Sequence, residues 1–137
     1  MASIRFADVF HQSCGEIRSV WNNKCLDVDN DRVHMYNCHG GWNQQWYRPG
    51  GNNQDMRIQV DGNKCLDAPG GQGERVAWLL CHSVRSNQRW VYDDKYHLHS
   101  VRYPELCLDI YAYDSKNYAK VVMWPCNNEL NQQWYQP

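Results

Sequence analysis

The sequence predicts an all-β fold made from three copies of one unit, on three observations. The tetrapeptide NQQW at 43–46 returns as NQRW at 87–90 and as NQQW at 131–134. The motif KCLD at 24–27 returns as KCLD at 64–67 and LCLD at 106–109, and a second cysteine follows each copy, at Cys38, Cys81 and Cys126. No segment sustains an i, i+3, i+4, i+7 apolar stripe, while short alternating pieces such as MRIQV and YHLHSV sit between turn-forming clusters. Alternation over a few residues is the pattern of half-buried strands.

The repeat is regular. Trp46, Trp90 and Trp134 close the three units at intervals of 44 residues. Self-similarity at a period near 40 means one supersecondary unit used three times around a shared core. Approximate repeats are 15–50, 55–93 and 96–137, within a single domain spanning 1–137. A chain of this length buries about 68% of its unfolded surface, enough for one core.

Within each unit, the segment ending at the second cysteine reads VHMYNC, VAWLLC and VVMWPC. Alternate side chains of a strand face opposite sides. Val33 and Met35, Val76 and Trp78, and Val121 and Met123 then share a face that is apolar in every copy, which is the predicted core face. The opposite face carries His34 and Tyr36, Ala77 and Leu79, Val122 and Trp124. That is where the copies differ, and where function is expected to be divided.

Six of the seven cysteines occupy matched positions and pair within repeats: Cys25–Cys38, Cys65–Cys81 and Cys107–Cys126. Each bridge contributes about 3 kcal/mol by loop entropy, which matters for a core short of Ile, Leu and Phe. Reduced, buried thiols are the alternative. Cys14 is left over and is free or intermolecular; an intermolecular bridge would make a homodimer.

Composition narrows the partners. The formal net charge is −1, from 14 basic and 15 acidic residues with no basic run, so neither a nucleic acid nor a membrane surface is expected. No apolar stretch approaches the length of a membrane span. The start, MASIRFADVFHQSC, places Asp8 and polar residues where a secretory leader needs a continuous apolar core. Export, if it occurs, is expected to use another route or a leader absent from this sequence. Aromatic residues are plentiful, with 7 Trp and 9 Tyr against 2 Phe.

The threefold pattern of CLD, second cysteine and NQxW resembles the ricin B-chain type of lectin over nearly the whole chain. The Gln-x-Trp triplets begin at Gln44, Gln88 and Gln132. The resemblance implies a β-trefoil with pseudo-threefold symmetry: twelve strands, six closing a short barrel and six capping it, with the triplet Trp residues in the core and the Gln side chains bracing loops. Within that family, GEIRSVWNNKCLDV, VHMYNCHG and the following NQQW are similar to the lectin domain of the animal polypeptide N-acetylgalactosaminyltransferases. In that group a His directly after the second cysteine joins the sugar site of the first repeat, which here is His39.

A galactose-type sugar presents an apolar C–H face and an axial hydroxyl. Its site needs an aromatic plate, a charged acceptor and an amide that both donates and accepts. The first repeat offers Asp27 as carboxylate, Tyr36 as plate, Asn43 as amide and His39 as a further donor, the four roles the resemblance assigns. His34 and Gln44 are secondary candidates. The third repeat keeps Asp109, Trp124, Asn131 and Gln132, with Asn127 in the place of His39, and its loop from Asp109 to Val121 is six residues longer than the first repeat's. The second repeat keeps Asp67, His82 and Asn87 but has Leu79 where the plate belongs. Loss of a plate costs roughly 1 kcal/mol or more, so this copy is expected to be weak or silent.

The aspartates read alternatively as turn caps, the asparagines as turn residues bonding their own backbone, and Tyr36 as an ordinary surface aromatic. No metal site is expected, because no Cys-x-x-Cys or His-x-x-x-His spacing accompanies His39 or His82, and no cofactor is expected. Glycoside hydrolysis needs two carboxyl groups about 5–9.5 Å apart, whereas the three aspartates belong to separate units. The expectation is therefore a non-enzymatic, multivalent and extracellular binder of galactose- or N-acetylgalactosamine-containing glycans. A trefoil that binds proteins, with vestigial sugar sites, is the rival.

Overall fold

The computed structural model describes residues 13–137. The start of the chain, where a leader was sought, lies outside the described residues. Among the described residues there are thirteen strands, four short 3-10 turns and no α-helix. The strands are β1 (Ser13–Gly15), β2 (Arg18–Ser19), β3 (Cys25–Asp29), β4 (Arg32–Tyr36), β5 (Trp46–Arg48), β6 (Gln59–Val60), β7 (Lys64–Asp67), β8 (Ala77–Leu80), β9 (Trp90–Tyr92), β10 (Leu98–Ser100), β11 (Leu106–Ile110), β12 (Ala119–Pro125) and β13 (Trp134–Tyr135). The count exceeds twelve because the first barrel strand is interrupted at Glu16 and Ile17, which divides it into β1 and β2.

Backbone contacts run in a closed circuit. Gly15 pairs with Trp46, Trp46 with Val60, Met56 with Trp90, and Trp90 with Ser100. The Trp134 amide then donates to the Tyr96 carbonyl at 2.9 Å, and Trp134 pairs with Ser19. Such closure of the barrel strands on one another is the usual way an antiparallel barrel avoids unpaired strand edges. Three hairpins cap the barrel: β3–β4, β7–β8 and β11–β12. The first turns through only Asn30 and Asp31, with Asn30 in the left-handed region at φ 54°, a conformation Asn tolerates better than most residues.

Trp46, Trp90 and Trp134 are fully buried. Each indole N–H donates to the carbonyl of the Leu in the CLD motif: Leu26 at 2.9 Å, Leu66 at 3.0 Å and Leu108 at 3.1 Å. A buried indole must find such an acceptor, and the repeated sequence supplies it three times. The face formed by Val33, Met35, Val76, Trp78, Val121 and Met123 is buried. Two residues of the opposite face are buried as well. His34 lies under Tyr118, and Val122 is covered through its bridge to Arg75.

The bridges Cys25–Cys38, Cys65–Cys81 and Cys107–Cys126 have Cα–Cα distances of 5.2, 5.1 and 5.0 Å. Each ties the open end of its hairpin, just before the turn that carries the Asn and Gln of the repeated tetrapeptide. Cys14 is free and exposed.

Candidate functional site

One bracket is built three times. Gln44, Gln88 and Gln132 lie in short 3-10 turns at Trp42–Gln44, Ser86–Gln88 and Leu130–Gln132. Their Oε1 atoms accept from the amides of His39, His82 and Asn127 at 2.8–2.9 Å. Their Nε2 atoms donate to the carbonyls of Asn37, Leu80 and Pro125, and to the carboxylates of Asp27 (2.8 Å), Asp67 (3.1 Å) and Asp109 (2.9 Å). The preceding asparagines donate to the carbonyls of Val28, Ala68 and Ile110. Gln44 and Gln132, expected to contact ligand, have no exposed surface. They position the carboxylates instead.

In the first unit, Asp27 forms the floor of a recess of about 230 Å³ shared with Asp29, His34, Tyr36, His39, Asn43 and Tyr118. Asn43 Nδ2 lies 3.2 Å and 3.3 Å from its two oxygens. His34 Nε2 lies 2.9 Å from Oδ1, close but off-axis for a hydrogen bond, and His34 is itself buried. His39 Nε2 reaches Oδ2 at 3.5 Å. The Gly41 amide donates to His39 Nδ1 at 3.0 Å, which places the ring proton on Nε2, facing the carboxylate. The glycines of CHGG now have a reason. A Cβ at Gly41 would stand 2.7 Å from the His39 ring and 2.8 Å from Asn43 Oδ1, and Gly40 has φ 79°. Tyr36 keeps an exposed edge, with His39 at 5.8 Å between ring centres and Tyr118 at 5.1 Å.

Tyr118 was missed in the sequence. It comes from the third unit, in the loop before β12, and its amide donates to the Met35 carbonyl at 2.7 Å. Its φ of 71° is a conformation that a bulky aromatic adopts only when its surroundings impose it. The short first hairpin provides no outer wall, and the long third loop lends one. No signal within the first repeat could have shown this.

In the third unit, Asp109, Trp124, Asn127 and Asn131 line a recess of about 320 Å³ together with Tyr111, Ala112, Tyr113 and Glu129. Trp124 is 37% exposed, and Tyr111 stands edge-on to it at 6.2 Å. Asn127 Oδ1 accepts from the Glu129 amide at 2.9 Å. Tyr113 donates to Glu129 at 2.8 Å and accepts from the Leu130 amide at 3.2 Å. Burial pushes the Asp109 carboxyl up to about 6, against the opposing hydrogen bond from Gln132. Asn131 Oδ1 is buried without a hydrogen-bond partner.

The second unit is closed. Asp67 is fully buried and Arg85 Nη1 stands 3.7 Å from its Oδ2. Burial raises the Asp67 carboxyl, opposed by Gln88 and Arg85. Asn87 reaches Ala68 and has no bond to Asp67, unlike its two counterparts. His82 follows its cysteine as His39 does, but Leu79 occupies the plate position and is 41% exposed, while Trp78 points inward under Lys64.

The model of the ricin-type β-trefoil lectin domain matches residues 13–134, and the chain belongs to that family. Among solved structures, a mosquitocidal holotoxin is 18% identical with a TM-score of 0.81, over 90% of this chain and 16% of that one. The designed threefold-symmetric protein ThreeFoil is 24% identical with a TM-score of 0.75, over 88% of this chain and 95% of that one. The C-half of an earthworm R-type lectin, solved in complex with GalNAc, is 19% identical with a TM-score of 0.73, over 89% and 95%. The fold is an all-β trefoil. The chain spans about a sixth of the holotoxin's length.

Proposed function

We propose that this chain binds terminal galactose or N-acetylgalactosamine without catalysis, through the first and third units, with the second weak or silent. The observation that carries the reading is the pairing, in both open recesses, of a braced carboxylate at the floor with an aromatic ring on the facing strand. Asp27 and Asp109 accept adjacent sugar hydroxyls; Asn43 and Asn131 supply the amide. Tyr36, with Tyr118 beside it, and Trp124, with Tyr111, receive the apolar face. His39 and Asn127 add donors. The likeness of Asp27, Tyr36, His39 and Asn43 to the transferase lectin site supports the galactose-type preference, as does the ligand of the earthworm lectin. Glu129, the second carboxylate of the third recess, is held by Tyr113 as part of the wall. Two sites on one rigid body favour cross-linking of glycans. Three disulfides fit an oxidising, extracellular setting, and no helix among the described residues is long and apolar enough to cross a membrane.

Glycan-array binding should be abolished by free galactose or N-acetylgalactosamine. Preference for mannose or glucose would refute the sugar assignment, and release of free sugar from galactosides would refute the absence of catalysis. Binding to a protein partner that free sugar leaves untouched would favour the interaction-module reading.

A further inference from the structure

Beside the third disulfide, whose two sulfurs lie 3.4 and 3.6 Å from His99 Nδ1, Asp93, His97 and His99 converge. Asp93 follows β9, and a turn through Tyr96 brings the chain back into β10. His97 and His99 are two residues apart and so project on the same side of that segment. Asp93 Oδ1 accepts from the backbone amides of Lys95 and His97, both at 2.9 Å. Its Oδ2 is left facing two imidazole nitrogens, His97 Nδ1 at 3.2 Å and His99 Nε2 at 2.6 Å.

The outer nitrogens decide the chemistry. His97 Nε2 lies 2.7 Å from the Asn127 carbonyl, and His99 Nδ1 lies 3.0 Å from the Pro104 carbonyl. A carbonyl only accepts, so each outer nitrogen carries a proton. The inner nitrogens of both rings are thereby directed at one carboxylate oxygen, Asp93 Oδ2. Two ring nitrogens and a carboxylate oxygen thus converge on one point. A histidine whose second nitrogen donates to a backbone carbonyl is also the usual arrangement of a metal ligand.

We propose that Asp93, His97 and His99 form a binding site for a divalent cation of the Zn²⁺ class. Two imidazoles and a carboxylate, with water completing the shell, are ligands this ion takes. Zn–N and Zn–O bonds of about 2.0–2.1 Å set ligand atoms about 3.3 Å apart in a tetrahedron. The 3.2 Å separation already meets that spacing. The 2.6 Å separation widens by a small swing of His99, whose side chain is 27% exposed. Asp93 is also partly exposed, which gives the ion an entry path. Cys107 lies nearby but is committed to its disulfide, so the carboxylate is the third ligand. The Asp-x3-His-x-His spacing is not one of the motifs weighed in the sequence, where no metal was expected.

Titration calorimetry of the oxidised, metal-stripped full chain with zinc sulfate tests this. One equivalent should bind per chain. Asp93→Asn and His99→Ala should each weaken it at least about 100-fold, the upper range for loss of even an outer-shell partner. Asp94→Asn, a neighbouring exposed carboxylate bonded to Asn53, should leave it unchanged. Co²⁺ should give the visible absorption of a four-coordinate site in the parent and not in Asp93→Asn, with circular dichroism confirming that both variants are folded. Absence of saturable binding in the parent would overturn the proposal, because protons alone would then fill the gap. Binding that survives both ligand substitutions would overturn it equally.

Discussion

Ionisation of Asp109 is what gives the third recess a charged acceptor, and burial has moved that event to about 6. Below this pH the carboxyl is protonated and offers one oxygen fewer to sugar hydroxyls. In the Asp27→Ala background, where the third site acts alone, galactose affinity should therefore fall as pH drops from about 7 to about 5. The loss should be on the order of tenfold or more, the weight of a charge-assisted hydrogen bond of about 1.5–3 kcal/mol. Calorimetry across that range checks it, and a flat profile would show that this carboxylate does not carry the contact. Folding stability has the opposite sign. The folded state retains this proton up to about 6, whereas the unfolded chain releases it near the ordinary value of 3.8. The Asp109 contribution thus declines as pH rises through that window and stays low above it. On the proposed reading, binding and folding place opposite demands on this one side chain.

The hairpins differ in length, and the difference is used. The first turns in two residues, so its recess lacks a wall of its own, and Tyr118 from the third hairpin leans across to Tyr36 and His34. Tyr118→Ala should weaken sugar binding about fivefold in the Asp109→Ala background, from loss of roughly 1 kcal/mol of ring contact. It should leave binding in the Asp27→Ala background unchanged. Equal losses in both backgrounds would show a general loosening instead of a wall on loan. Tyr118 also marks the limit of what the sequence disclosed. That the carboxylates, asparagines and aromatic rings of the first and third units share a recess was legible because each sits at a fixed offset from a repeated cysteine or tryptophan. The burial of Gln44 and Gln132 was half legible: the bracing was implied by resemblance, but nothing in a linear motif shows that a residue beside a carboxylate has no exposed surface. Arg85 closing over Asp67, and Tyr113 holding Glu129, are contacts of residues that do not repeat, so no internal comparison could single them out.

At the scale of the whole molecule, threefold construction separates stability from function. The bracket of Gln, Trp and disulfide is the same in all three units, since the barrel needs each of them, whereas the outer face of β4, β8 and β12 is free to vary. Tyr36, Leu79 and Trp124 occupy that face, and two of the three are suited to a sugar. Agglutination should depend on valence far more steeply than affinity does, because cross-linking needs two simultaneous contacts. The central claim is that binding resides in the first and third recesses and nowhere else. Calorimetric titration of galactose into the parent chain, Asp27→Ala, Asp109→Ala and the double variant measures it directly, since removal of either carboxylate leaves the buried tryptophans in place. The account predicts two sites in the parent, one in each single variant and none in the double; a double variant that still binds two sugars per chain would contradict it.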